Sequence, residues 1–478
     1  MEVSKLFLSC KLGDLDSVKY LVETKEVELN VRDKWDSTPL YYACFCGHEE
    51  LVDYLLQCGA KCEPNTFDGE RCLYGALSDS IRNVLKNYKA ITAHCMRRDS
   101  YQEFLRRLLD EGSYEDICFA VRNSKFTAHR CILSVRSEYF AEMLKTRWRN
   151  KMSVNLKHPL VSPYAFKAIL RYIYTDRLEI HMEDIDDVIR LAKQCQLVGL
   201  ISRIDDAVKK TDSFVCAKPG TRVTVISIDE NCYQLHEDLG VLAEQAIPNQ
   251  IKNWVSHGEL PFFTEEENIP YLGDICFSVQ GYNFYCHKVF FCCRSDYFKA
   301  LLSDHFSEVG TDSLQGIPVV YLQDVNPDVF SQVVRYLYTD KPQISAALAY
   351  DVLCVADRYL LPGLKRLSAN VISQNLDEFN VISVVKAARL FELHRLEDQC
   401  AEYMAAILDK IIYTEEFAEL IQEDASSVQE RQETDSIPII DDIRYHITST
   451  ILTYSDMAEA NEKLAALDDL LIRLGVEC

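Results

Sequence analysis

The stretch "ILRYIYTD" at residues 169–176 occurs a second time as "VVRYLYTD" at residues 333–340. Upstream, "DICFAV" at 116–121 returns as "DICFSV" at 274–279. The two copies are separated by 164 residues for the first phrase and by 158 residues for the second. Because several phrases recur in the same order at nearly constant spacing, the sequence predicts that one domain is duplicated in this chain.

Within each copy, the apolar residues follow a strand period and then a helix period. Ile117, Phe119 and Val121 lie at every second position, which predicts a strand with one buried face, and the second copy repeats this pattern from Ile275. Four apolar residues of the later phrase share one helical face: Phe166, Ile169, Leu170 and Ile173. Because aromatic residues at helical spacing usually belong to a core, we expect four repeated tyrosines to be buried: Tyr172, Tyr174, Tyr336 and Tyr338.

The order strand, strand, helix, strand, helix, helix carries three spaced motifs, D-I-x-F-x-V, F-x-x-H-R/K and R-S-x-Y-F. This combination resembles the BTB/POZ domain, and both copies match it. The resemblance implies charged residues near a dimer face and groove, which are Asp116 with Arg130 and Asp274 with Lys288. An ion pair that orders the fold explains the same residues, because truncating one partner would strand the other charge. We give the structural role more weight than a ligand contact.

The N-terminal stretch "DSTPLYYACFCGHEELVDYLLQCGA" at 36–60 recurs weakly on both sides with a period of 33 residues. It resembles ankyrin repeats: Thr38-Pro39 opens a first helix, and Gly47 turns the chain into a second. Only the central repeat matches well, so the outer two are expected to act as caps. The segment is either a small peptide-binding surface or, with more weight, a docking cap for the domain that follows.

The remaining stretches complete a multidomain chain, mostly α with α+β modules. Residues from 376 onward resemble the helical BACK-type extension that follows many BTB domains. We predict seven segments: ankyrin repeats at 1–90, a linker helix at 91–114, the first BTB/POZ α/β domain at 115–211, an insert or linker at 212–270, the second BTB/POZ domain at 271–370, BACK-like helices at 371–412, and an acidic tail with a terminal helix at 413–478.

Composition restricts the partners and the compartment. The chain has 478 residues and a net charge of −23, which disfavours nucleic acid and anionic membrane surfaces as partners. No signal peptide and no run of 18 apolar residues is visible, so we expect a cytoplasmic and also nuclear protein. The 19 cysteines include no CxxC pair, which favours reduced thiols and no metal. A zinc site of Cys44, Cys46 and His48 is disfavoured by its spacing.

The sequence contains no catalytic motif and no cofactor-binding motif, so we expect interaction rather than catalysis, although a spatially assembled cysteine hydrolase stays open. Resemblance to the ankyrin and BTB families implies an adaptor. In many BTB proteins the domain binds a cullin scaffold and brings a substrate protein to the ubiquitin-transfer machinery. The alternative is a non-degradative scaffold or transcriptional cofactor that uses the BTB copies for self-association. In either case, we expect the two copies to pair within one chain, because the joining segment keeps them at high effective concentration.

In cullin-binding BTB families, a hydrophobic residue, any residue and then Glu follow the long helix and contact the scaffold. By this resemblance, Phe306 and Glu308 of the second copy are the cullin-contacting residues. The first copy has Trp148-Arg149-Asn150 at the equivalent place, with an amide instead of the carboxylate. The alternative is that Phe306 covers its own core and Glu308 is an ordinary solvated residue.

Overall fold

A computed structural model of the chain describes most of its residues. The described ranges are 2–24, 27, 29–60, 62, 67–87, 100–217, 223–229, 233–251, 272–303, 309–314, 316–427, 437–449 and 454–476. Contacts divide the chain into two compact units, one formed by residues 1–276, 284–293 and 312–318 and the other by 277–283, 294–311 and 319–478. None of the helices in the described ranges combines the length and apolar character needed to cross a membrane.

The N-terminal segment is a stack of short helices with a π-helical turn at Tyr20–Thr24. The helices are α1 (Glu2–Leu12), α2 (Leu15–Lys19), α3 (Pro39–Cys46), α4 (Glu49–Gln57), α5 (Phe67–Gly75) and α6 (Asp79–Asn87). Helix α3 begins where the Thr38 hydroxyl accepts a hydrogen bond from the Tyr41 backbone N–H at 3.2 Å. It ends at Gly47, whose φ of 86° lies in the left-handed region that favours glycine. The predicted helix start and turn of the central repeat are therefore confirmed.

The first copy combines a small sheet with packed helices. Its elements are α7 (Ser100–Glu111), β1 (Ile117–Val121), β2 (Ser124–Ala128), α8 (Arg130–Arg136), α9 (Glu138–Lys145), β3 (Ser153–Leu156), α10 (Pro163–Thr175), β4 (Arg177–His181), a 3-10 turn (Met182–Asp184), α11 (Ile185–Gln194) and α12 (Val198–Ala217). Strand β1 is central in the order β2-β1-β3, antiparallel to β2 and parallel to β3. The predicted inward face of β1 is buried, and the Phe119 ring lies 5.3 Å from that of Phe166 on α10.

Part of the predicted insert extends the first copy. Helix α12 continues through the boundary that the sequence suggested at 211/212. Strand β5 (Val225–Asp229) pairs antiparallel with β4, and helix α13 (Tyr233–Ala246) packs against α8. The reason is physical: β5 buries Ile226 and Ile228, which would be exposed if residues 225–246 were a free linker.

The second copy repeats the first, with one additional strand in its sheet. Its elements are β6 (Ile275–Val279), β7 (Tyr282–Cys286), α14 (Lys288–Arg294), α15 (Asp296–Leu301), β8 (Val309–Leu314), β9 (Ile317–Leu322), α16 (Pro327–Thr339) and α17 (Ala349–Arg358). The strand order is β7-β6-β9-β8. The four repeated tyrosines are all buried, which confirms that they are core residues.

The C-terminal segment is a helical domain with one continuous core. Its helices are α18 (Pro362–Ser373), α19 (Val381–Leu390), α20 (His394–Ala406), α21 (Leu408–Ile411), α22 (Glu415–Ser427), α23 (Pro438–Ser449) and α24 (Tyr454–Leu474). The core runs from Ala369 to Leu471 and includes Phe417 and Ile440. Helices α22, α23 and α24, which follow the predicted boundary at 412/413, bury apolar residues in the same core as α19 and α20.

Candidate protein-interaction site

Arg130 holds a loop of the first copy through backbone carbonyls. Its Nη1 donates to the carbonyl oxygens of Trp148 at 3.2 Å and of Arg149 at 3.0 Å, and its Nη2 donates to that of Lys151. The side chain is buried, so these carbonyls satisfy most of its donors in a region of low dielectric. Arg130 therefore fixes the loop that follows α9, which is a structural role.

Asp116 and Asp274 each bind the N-terminus of the following helix. The Asp116 carboxylate accepts from the Arg130 backbone N–H at 2.8 Å, and the Asp274 carboxylate accepts from the Lys288 N–H at 2.7 Å. Desolvation by neighbouring groups raises the pKa of both carboxyls, although both residues are exposed at the surface. The pKa of Asp116 reaches about 6, and the nearby charge of Asp274 contributes to the rise.

We expect Asp116→Asn to stabilise the first copy at pH 7. The amide keeps an oxygen that can accept from the Arg130 N–H, and it removes the negative charge that desolvation disfavours. Because the folded-state pKa of Asp116 is raised from 3.8 to about 6, the folded chain binds more protons than the unfolded chain between these values, and stability falls as pH rises through this window. Urea unfolding at pH 4.5 and pH 7 measures this slope, with Trp35 and Trp254 replaced by Phe so that Trp148 is the only tryptophan and is excited selectively at 295 nm.

The variant should flatten the fall in stability between the two pH values. The matched control is Asp187→Asn, which removes an exposed carboxylate of the same copy that bonds Arg190 at 2.8 Å. An Asp116→Asn slope equal to that of the parent chain and of the control would contradict a raised pKa of Asp116 in the folded chain.

The motifs R-S-x-Y-F and Y-T-D, which recur in both copies, are joined by an ion pair that the sequence reading did not predict. In the first copy, Arg136 Nη2 bonds Asp176 Oδ1 at 2.9 Å, and Arg203 lies 3.3 Å from the same oxygen. In the second copy, Arg294 bonds Asp340 and donates to the Leu337 carbonyl at 3.1 Å. Each Asp also ends its helix in the left-handed conformation, with φ of 55° and 59°. Recurrence of both motifs was the signal that could have revealed the pair.

A buried histidine and tyrosine form a second unpredicted network in the first copy. The His129 Nδ1 lies 2.7 Å from the Tyr174 hydroxyl, which also accepts from the His129 backbone N–H at 2.8 Å. The Nε2 lies 2.8 Å from the Ser113 carbonyl oxygen. Burial lowers the pKa of His129, so the neutral ring donates from Nε2 and accepts at Nδ1. This geometry makes His129 a residue of the fold.

Helix α7 and its following turn contact residues of the second copy that belong to the same compact unit. The Phe104 ring centroid lies 6.3 Å from that of Phe290. Burial and a hydrogen bond with Cys292 raise the pKa of Tyr114 to about 12. Phe290 and Cys292 both lie on α14, so helix α7 and its following turn contact this helix of the second copy.

The ankyrin-like segment contacts the extension of the first copy. The Phe67 and Phe214 ring centroids are 5.6 Å apart, and Lys210 Nζ lies 3.3 Å from Asp36 Oδ2. These contacts favour the docking-cap interpretation of this segment. Within the described ranges, no three His, Cys, Asp or Glu side chains are grouped so that they could hold a metal ion.

Comparisons with known proteins identify the modules. The BTB/POZ domain model matches residues 105–212 and 265–376, and a model of three ankyrin repeats matches residues 4–68. BTB/POZ domain-containing protein 3 of Schizosaccharomyces pombe is 32% identical over 505 aligned positions, which cover 100% of this chain and 90% of the relative. The chain belongs to the ankyrin repeat and BTB/POZ protein family.

Other relatives share this architecture to different extents. An ankyrin repeat-containing protein of Saccharomyces cerevisiae is 30% identical over 93% of this chain and 88% of its own length. The human inhibitor of Bruton tyrosine kinase is 23% identical over 72% of this chain and 29% of its own length. BTB/POZ domains and ankyrin repeats are interaction modules, so the chain acts by binding proteins.

The two BTB/POZ copies differ at the segment singled out for the cullin contact. Phe306 and Glu308 lie outside the described residues. In the first copy, Trp148 is only 4% exposed, and its ring lies 5.5 Å from Phe119 and 6.1 Å from Tyr139. In the first copy, the hydrophobic residue of the triplet Trp148-Arg149-Asn150 is therefore a core residue. The backbone carbonyls of Trp148 and Arg149 accept hydrogen bonds from Arg130.

Proposed function

We propose that this protein is a substrate-recruiting adaptor of a cullin-based ubiquitin ligase and that its second BTB/POZ copy makes the cullin contact through Phe306 and Glu308. The observation that carries the choice of copy is the burial of Trp148, which leaves no hydrophobic side chain of the first triplet for a partner. The first triplet also ends in Asn150 instead of a carboxylate. A cullin surface that binds a carboxylate would bind the amide of Asn150 more weakly.

We also propose that the two BTB/POZ copies pair within one chain. Support comes from the contact of Phe104 with Phe290 and from the grouping of residues 284–293 with the first copy in one compact unit. Two copies on one chain meet at high effective concentration, so pairing between chains is not needed. One chain then offers one paired BTB/POZ module and one cullin-competent segment.

Glu308→Lys should reduce recovery of the cullin sharply. Reversing the charge removes an attraction and adds a repulsion, and each 1.4 kcal/mol lost corresponds to about a tenfold weaker complex. The measurement is capture of a recombinant cullin N-terminal domain by the immobilised full chain, quantified over a concentration series. We expect a loss of about tenfold or more.

The matched control is Asn150→Lys, which places the same residue at the equivalent position of the first copy. It should leave cullin recovery within twofold of the parent chain. Equal loss from both variants, or full recovery with Glu308→Lys, would reject the assignment to the second copy. No capture by the parent chain at micromolar concentration would favour the non-degradative scaffold instead.

A further inference from the structure

A cleft of about 250 Å³ lies on the first BTB/POZ copy, between the end of α7, strand β2 and helix α10. Three of its lining residues are apolar: Leu109, Phe126 and Leu170. The other lining residues are polar: Asp110, Lys125, Thr127, Lys167 and Arg171. The cleft therefore combines three apolar side chains with three cationic ones.

These cations are available to a ligand. Lys125 and Lys167 are exposed and Arg171 is half-buried, and none of the three forms an ion pair with a carboxylate of the described ranges. Asp110 does not neutralise them, because its carboxylate bonds Arg106 on its own helix. The chain as a whole has a net charge of −23, so three unpaired cations around one cleft make the local surface charge positive where the protein as a whole is negative. Such a surface attracts an anionic ligand.

The cleft also includes the edge of a sheet. In the order β2-β1-β3, strand β2 has β1 as its one neighbour among the described strands. Lys125 and Thr127 are two residues apart on β2, so they lie on the same face of the strand, and Phe126 lies on the other. An edge strand presents unpaired backbone N–H and C=O groups that an extended peptide can bind.

We propose that this cleft binds an extended acidic peptide of a partner protein, which adds as a strand along β2. The carboxylates of the peptide form ion pairs with Lys125, Lys167 and Arg171. An apolar side chain of the peptide contacts Leu109, Phe126 and Leu170. Strand addition requires a peptide backbone, which distinguishes this ligand from a nucleic acid that would use the cations alone. The inference does not depend on the cullin contact, because it concerns the other BTB/POZ copy.

The test uses the full chain and a fluorescein-labelled peptide, acetyl-GEVEFEVEG-amide, whose glutamates alternate with apolar residues. Fluorescence anisotropy should show saturable binding in the micromolar range. The double variant Lys125→Glu/Lys167→Glu should weaken binding at least tenfold. The matched control Lys157→Glu/Lys193→Glu, which changes two exposed lysines elsewhere on the same copy, should leave binding within twofold of the parent chain.

A peptide of the same sequence with N-methyl groups on alternate amides tests strand addition. Because it retains every charge but loses half of its donors, its affinity should fall at least tenfold. The proposal is overturned by absence of saturable binding, by equal weakening in the control double variant, or by undiminished binding of the N-methylated peptide. Tighter binding of a nine-nucleotide thymidine DNA, lost in the same double variant, would also overturn it. Unchanged thermal unfolding of both double variants establishes that the fold is intact.

Discussion

Replacing Asp176 with Ala is expected to lower the free energy of unfolding of the first BTB/POZ copy by about 2–3 kcal/mol. Asp176 is 0% exposed, and its partner Arg136 is only 4% exposed. Removing the carboxylate therefore takes one of two acidic partners from a buried guanidinium, which keeps Asp238 and the Ile173 carbonyl. Alanine must also adopt the left-handed conformation at φ 55°, which adds strain. Urea unfolding followed through Trp148, in the background without Trp35 and Trp254, measures the loss.

The second copy provides a matched comparison through Asp340→Ala. Asp340 has the same position and a similar φ of 59°, but its side chain is 27% exposed. Because Asp340 is the more exposed of the two carboxylates, water can compensate part of the lost interaction there. Hydrogen exchange of residues 275–279 should therefore show a smaller loss than exchange of residues 117–121 in Asp176→Ala. Equal losses, or a loss below 1 kcal/mol for Asp176→Ala, would contradict the account of a buried pair.

Trp148→Ala is expected to cost about 3–5 kcal/mol of unfolding free energy in the first copy. The ring contacts Phe119, Tyr139 and Phe140, so its removal leaves a large cavity in the aromatic core. Because the variant removes the fluorophore, hydrogen exchange of β1 at residues 117–121 is the appropriate measurement. Trp148→Phe should lose much less, because it fills part of the same space.

Cullin capture separates this structural role from a partner contact. Trp148→Phe should capture the cullin domain as well as the parent chain does, while Glu308→Lys should keep its stability and lose capture. If Trp148→Phe lowered capture by the same factor as Glu308→Lys without changing hydrogen exchange, Trp148 would be a partner contact and the choice of the second copy would be wrong.

The sequence predicted those parts of the fold whose interactions are local or repeated. The period-2 pattern at Ile117–Val121 predicted β1, since alternation reports directly which face is buried. Thr38, Pro39 and Gly47 predicted the boundaries of α3, because caps and turns are set by neighbouring residues. Duplication strengthened each inference, since chance alternation would not recur at the same spacing.

Long-range contacts could not be predicted in the same way. The pair of Arg136 and Asp176 joins residues 40 positions apart, and no local pattern specifies which cation meets which carboxylate. The bond of Arg130 to the carbonyls at 148–151 has no sequence signature, because every residue carries a carbonyl. The pairing of strand β5 with β4 depends on tertiary structure in the same way. The same is true of the tail helices, whose core partners lie in the preceding segment.

The composition of the complex formed by the full chain and a cullin N-terminal domain tests the proposed function most directly. Multi-angle light scattering after size-exclusion chromatography, with both proteins at micromolar concentration, gives this composition from the mass. Pairing of the BTB/POZ copies within one chain and a single competent copy predict a monomeric free chain of 54.9 kDa and a complex of one chain with one cullin domain. A complex of two chains with two cullin domains would contradict pairing within the chain, two cullin domains on one chain would contradict the single competent copy, and no complex would contradict the adaptor function.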